Sequence, residues 1–142
     1  MSAKIFIDSN IWLYALNEEQ NLDDEFKHVL AKKLLLENDN IEISTQVVNE
    51  VAINLMRKAN KDNDYIFEFI QDFISTYNVH SQTSAELITA ASLRLSYSFS
   101  YWDSLIVASA INNGCTILYS EDMQDGLQVH NKLKIINPLR KI

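Results

Sequence analysis

Turn-formers are scarce: the 142 residues include two glycines and one proline. So few argue against a β-sandwich or a disordered chain and for helices joined by economical turns. Cysteine is limited to Cys115, so there is no internal disulfide and no Cys-x-x-Cys motif. No apolar run approaches the roughly 18 residues that a membrane span requires. The N-terminus also lacks the basic stretch and long apolar core of a secretory signal. A cytoplasmic protein without membrane association is expected. Basic residues are outnumbered, 12 against 19 acids, for a net charge of −7. That balance does not advertise nucleic-acid binding, although carboxylates gathered around cations make the global charge a poor guide to any local patch. The remaining composition, 47% hydrophobic and 22% charged, is ordinary for one globular domain. Residues 1–142 are expected to form a single domain around one core.

Apolar and polar residues alternate between short β-prone runs and longer helical patterns. Ile5-Phe6-Ile7 reads as a buried strand, and Ile11 to Leu16 as a short buried helix. Asp23 or Asp24 can cap a helix to about Glu37, with Phe26, Val29, Leu30 and Leu34 to Leu36 facing inward. Ile41 to Ser44 is a short strand. Val47, Val48, Val51, Ala52, Leu55 and Met56 mark one face of a helix from about Thr45 to Ala59. Asp62 can cap the next helix, and Tyr77 to Val79 is a weaker strand pattern. Thr83-Ser84-Ala85-Glu86 has the form of a capping box opening a helix to about Tyr97. Trp102 to Asn112 is a further helix stopped by Gly114. Thr116 to Tyr119 and Leu133 to Ile136 are the last two strands. Strands separated by helices predict a three-layer α/β/α sandwich with a central parallel sheet. Right-handed crossovers then collect the strand ends along one edge.

Four acids map to that edge. Asp8 and Asp122 directly follow apolar strands, while Glu50 and Asp103 sit in early turns of helices. Each has an ordinary reading. Asp8 and Asp122 are good helix caps or turn residues. Glu50, with Asn54 one turn on and Arg57 two turns on, has the features of a solvated helix acid. Asp103 suits the positive end of a helix dipole. Taken together they mean more, because gathered carboxylates repel one another and are usually compensated by a hard divalent cation. Mg²⁺ takes few carboxylates and keeps several waters, leaving room for a phosphate oxygen and an attacking water. Phosphodiester hydrolysis suits that arrangement.

Other chemistries fit less well. His28, His80 and His130 have no zinc-ligand spacing. No glycine-rich loop exists to cradle a nucleotide. Ser9 and Ser104 have no neighbouring histidine to act as base. Trp12 and Trp102 read as core or pocket-wall aromatics, and Glu121 as an exposed acid.

Four segments, in order, resemble the PIN-domain nucleases: FIDSN, VVNEVAINLMRK, YWDSLIVASA and LYSED. The nearest likeness is to the VapC-like ribonuclease toxins of type II toxin–antitoxin pairs, and it runs from residue 4 to about 137. The resemblance implies an α/β/α sandwich and a Mg²⁺- or Mn²⁺-dependent endoribonuclease. It places the acidic quartet on Asp8, Glu50, Asp103 and Asp122, and supporting polar groups on Asn10, Ser9 and Ser120. Glu121 competes with Asp122 for the last position. Arg57, Lys58, Lys61 and Lys132 are candidate RNA contacts. A small antitoxin and a homodimer are also implied. One alternative is a non-catalytic RNA- or partner-binding module. Another is a phosphatase or phospho-acceptor domain using Asp8, although Asn10 stands where a haloacid-dehalogenase phosphatase needs a second Asp, and Ser120 where a receiver needs Lys.

Overall fold

The computed structural model describes residues 3–16 and 22–140. The chain runs β1 (Ile5–Ile7), α1 (Ser9–Leu16), α2 (Leu22–Glu37), β2 (Ile41–Ser44), α3 (Thr45–Arg57) and α4 (Asn63–Thr76). It continues through β3 (Asn78–His80), α5 (Ser84–Leu93), α6 (Tyr101–Asn112), β4 (Ile117–Tyr119), β5 (Gln128–Val129) and β6 (Leu133–Ile136). The strands form one sheet in the order β3-β2-β1-β4-β6-β5. All neighbours are parallel except β5, which pairs antiparallel to β6. The sheet is therefore mixed rather than wholly parallel. Two-residue β5 is too short for any periodicity to announce it. The chain returns to β6 through His130 and Asn131, both at positive φ.

The topology follows from the crossover rule. From β1 the chain steps outward to β2 and then β3, so right-handed connections put α1 to α4 on one face. It then crosses back to β4 on the other side of β1, which puts α5 and α6 on the opposite face. The expected three layers result. The direction of winding reverses between β1 and β4, the position where open α/β sheets form ligand crevices.

Apolar burial holds this frame. Phe6, Ile7, Ile43, Leu118 and Ile135 fill the sheet, and Ile11, Val47, Val51, Ile106 and Val107 pack on it from the helices. Trp12 is 1% exposed, its indole N–H donates to the Ile7 carbonyl (3.0 Å), and its ring meets Phe73 and Tyr77 edge-on. Ser109 is fully buried in α6, where every residue from Ser104 to Ala110 is buried. Gly114 ends that helix at φ 77°, where a side chain is disfavoured, and the Cys115 N–H reaches back to the Ala110 carbonyl.

Local chemistry sets several boundaries. Asp62 caps α4, accepting from the Tyr65 N–H, and Thr83 caps α5, accepting from the Glu86 N–H. Glu86 does not return the bond to Thr83. Its side chain is buried, with Asn113 the donor to one oxygen. Helix α2 begins at Leu22, so Asp23 and Asp24 lie in its first turn rather than before it, and a cap falls outside the described residues. Val29 and Leu36 on that helix face outward. Helix α5 stops at Leu93, short of Tyr97, because Arg94 turns to donate to the Phe99 carbonyl and Tyr97 stacks on Phe99. Among the described residues, no helix is long and apolar enough to cross a membrane.

Candidate active site

Asp8 is the first residue past β1 and is 5% exposed. The Ser9 N–H donates to its Oδ1 (2.8 Å), and the Ser120 hydroxyl, just past β4, donates to its Oδ2 (2.9 Å). A side chain capping α1 would instead accept from the second or third residue of the helix. Asp8 thus bridges the two strands flanking the reversal point. Burial pushes its carboxyl up to about 6 from 3.8, the two hydrogen bonds oppose that rise, and the charges of Asp103 and Asp122 add to it.

The other acids converge on it electrostatically. Glu50 is half-buried on α3. Burial and the charges of Asp8 and Asp103 raise its carboxyl from 4.5 to about 7, and its Oε1 is buried without a hydrogen-bond partner. Asp103 occupies the third position of α6. Ser100, not Asp103, caps this helix by accepting from the Asp103 N–H (3.1 Å). The Asp103 carboxyl is raised by burial and by Asp122, against a lowering hydrogen bond from Ser100. Asp122 is exposed, and its Oδ2 accepts from the Asn10 side-chain amide (2.6 Å). Among the described residues none of the four acids forms an ion pair.

The edge is thus a group of carboxylates where the sheet topology makes a crevice, and neighbouring charge adds to burial in raising Asp8, Glu50 and Asp103. A model of the PIN domain matches residues 5–125. The chain belongs to the PIN-domain family. No curated protein matches it by sequence. Among solved structures it is similar to VapC20 of Mycobacterium tuberculosis, a sarcin–ricin-loop-cleaving toxin. That match has 19% identity and a TM-score of 0.67, over 84% of this chain and 90% of the other. A toxin–antitoxin complex from Klebsiella pneumoniae aligns at 18% identity and a TM-score of 0.70, over 95% and 98%. VapBC2 of Rickettsia felis, bound to a promoter DNA fragment, aligns at 19% and 0.63, over 92% and 96%.

In this PIN domain the neighbouring acids Glu121 and Asp122 separate cleanly. Glu121 is not exposed but half-buried, paired with Lys27 on α2 (2.6 Å), and Lys27 also donates to the Tyr14 hydroxyl. Asp122 is the one turned toward the acidic group. Ser9 contributes its backbone N–H rather than its hydroxyl, so of the two serines only Ser120 supports Asp8 with a side chain. Asn10, at the place where a haloacid-dehalogenase phosphatase requires Asp, is engaged with Asp122 instead.

The basic candidates divide. Lys58 and Lys61 line a cleft of about 610 Å³ that reaches Asn10, Asn54 and Tyr65, with Lys61 lying over the Tyr65 ring. Arg57 is the last residue of α3, exposed and outside that lining. Lys132 immediately precedes β6, at the amino ends of the parallel strands, whereas the acids follow their carboxyl ends. It therefore lies at the opposite edge of the sheet from the acids. The sequence carries no sign of this, since a lysine before a strand reads the same at either edge. Trp102 is also misplaced by sequence reasoning: it is 64% exposed, not a core or pocket-wall ring.

The donors suit a hard divalent cation in kind, being all oxygen, and in charge, since three of the four are pushed toward protonation. The unpartnered Glu50 Oε1 supplies a buried lone pair that such an ion would satisfy. Among the described residues no three of the acids are already drawn into ligand geometry. Glu50, Asp103 and Asp122 would have to rotate to hold an ion together with Asp8.

Proposed function

We propose that residues 1–142 form a single-domain, Mg²⁺- or Mn²⁺-dependent endoribonuclease acting in the cytoplasm as the toxin of a toxin–antitoxin pair. PIN domains are a nuclease family, which supplies the class of reaction. The observation that carries the reading is Asp8: a buried carboxylate held by Ser9 and Ser120, ringed by acids and, among the described residues, paired with no cation. An uncompensated buried charge is costly to stability and is kept where a site needs it.

Asp8, Glu50 and Asp103 would hold the ion, with Asp122 completing the group. When bound, the ion supplies positive charge to the scissile phosphate and acidifies water. The protein's own part is positioning. Ser120 and the Ser9 N–H fix both oxygens of Asp8, and Asn10 fixes Asp122. Lys58 and Lys61 offer charge to the phosphates of a strand leaving through the cleft beside Asn10.

Cleavage of a panel of RNAs in Mg²⁺ or Mn²⁺, abolished by EDTA and restored by either metal, is the expected result. Activity that survives chelation and metal-free repurification would overturn the metal mechanism. RNA binding without turnover in either metal would instead indicate a non-catalytic module.

The likeness to toxin–antitoxin complexes supports a small antitoxin whose Arg or Lys faces the carboxylates. A homodimer is the expected state of the toxin, to be checked by light scattering over a range of concentrations.

A further inference from the structure

Two aromatic residues stand in solvent directly before one of the acids in the chain, in the same first turn of α6. Trp102 is 64% and Tyr101 40% exposed, and Asp103 is the next residue. A lone exposed apolar side chain means little. Tryptophan, however, has the largest apolar surface to lose to water, and the chain's other tryptophan is buried almost completely. The Trp102 and Tyr101 rings meet edge to face at 5.7 Å, a contact that props the indole without covering it.

The backbone beneath the indole is held. Trp102 lies in the first turn of α6, capped by Ser100. Its carbonyl accepts from the side-chain amide of buried Gln46 (3.1 Å), which in turn accepts from Gln82 (2.8 Å). The result is a flat π-surface on a fixed support, one residue from an acid of the site.

Resting on the nuclease reading above, we propose that Trp102 is a stacking platform for an unpaired RNA base next to the scissile phosphodiester, with Tyr101 setting the angle of the ring. Bases inside a duplex have their faces covered by neighbours, whereas splayed bases stack on aromatic side chains. The platform therefore takes a base that is unpaired at the cut. Every base has a π-face, so the platform selects for unpaired structure more than for sequence.

The test compares wild type, Trp102→Ala and Trp102→Phe on a short unstructured RNA that the wild type binds. The same RNA is also used annealed to its complement and with an abasic nucleotide beside the cut. Affinity is measured separately by fluorescence anisotropy in EDTA. Trp102→Ala should raise KM and weaken binding roughly 5- to 100-fold with kcat less affected, and Trp102→Phe should recover most of the loss. The abasic RNA should bind wild type as poorly as intact RNA binds Trp102→Ala, and should cost the variant nothing further. The duplex should be poorly cut by all three proteins.

Unchanged KM and affinity in Trp102→Ala would overturn the platform while leaving the nuclease reading intact. An altered oligomeric state with unchanged RNA affinity would overturn it too, assigning the ring to contact between copies of the chain. Tryptophan-dependent RNA binding without cleavage in Mg²⁺ or Mn²⁺ would uphold the platform and remove the nuclease.

Discussion

Two buried acids belonging to adjacent strands are treated in opposite ways. Glu42 on β2 is 4% exposed, and two side chains serve it: the His80 imidazole at 2.8 Å and the Lys4 ammonium at 3.9 Å. Asp8, at the end of neighbouring β1, is as deeply buried, yet its surroundings are Glu50, Asp103 and Asp122. Glu42 is a structural acid whose compensation the chain supplies itself. Among the described residues Asp8 has hydrogen bonds from neutral groups and no ion pair, which leaves its charge to something outside the chain. Burial alone does not distinguish the two residues; the sign of the neighbouring charges does.

The sharpest way to break this comparison is to neutralise each acid. Asp8→Asn should lower RNA cleavage more than ~100-fold, since it removes a metal ligand rather than a group supporting one. It should leave the metal-free protein as stable as wild type or more so, because an amide in that place is neither desolvated as an ion nor repelled. A fall in both cleavage and metal-free melting temperature would return Asp8 to a structural role.

The pH dependence of stability in EDTA should carry the same signature. The Asp8 carboxyl rises from 3.8 to about 6 on folding, so the native state binds its proton more tightly than the unfolded chain does. Stability associated with Asp8 is thus complete below pH ~4 and lost as pH rises through about 6. Glu50 acts in the same direction, from 4.5 up to about 7. The stability difference between Asp8→Asn and wild type should grow across this window toward an upper limit of ~3 kcal/mol. Denaturation followed at several pH values checks it, and a flat difference contradicts the assigned environment.

Glu42→Gln should behave in the converse manner, destabilising the protein by ~1–2 kcal/mol while cleavage stays near wild type. The cost is modest for a buried partner because Lys4 and His80 are both partly exposed and can be hydrated once the carboxylate is gone. Loss of cleavage without loss of stability would make Glu42 part of the site.

The smallest effect separates capping from ligation on α6. Ser100→Ala should cost ~1 kcal/mol, the usual loss at an N-cap, whereas Asp103→Asn should cost little stability and most of the activity. Added Mg²⁺ should raise the melting temperature of wild type more than that of Asp103→Asn, since a ligand stabilises the state that binds it. Equal shifts in the two proteins would leave Asp103 outside the ion's reach.

Much of the fold is legible in the residues because local patterns and global packing agree. The apolar run 5–7, the stripe from Val47 to Leu55 and the caps at Asp62 and Thr83 each specify their element. Legibility fails where no periodicity exists, as in β5, or where apolar residues continue past a backbone turn, as at Leu95 and Tyr97. The candidate site divides the same way. The four acids are found by type and by their position after strands or early in helices. The role of Ser120, the turning of Glu121 to Lys27 and the exposure of Trp102 depend on contacts between residues far apart in the chain.

The sequence by itself determined which residues form strands and helices, and therefore that Asp8 and Asp122 end strands on the same edge of a right-handed α/β sheet. The pleat, the helical period and crossover handedness are local or nearly local rules, and one chain suffices to apply them. Only the tertiary structure decided which acid keeps an uncompensated charge and which lysines share its edge. It alone also decided which tryptophan meets water. Those outcomes depend on distances between side chains brought together by packing, which the order of residues along the chain does not contain.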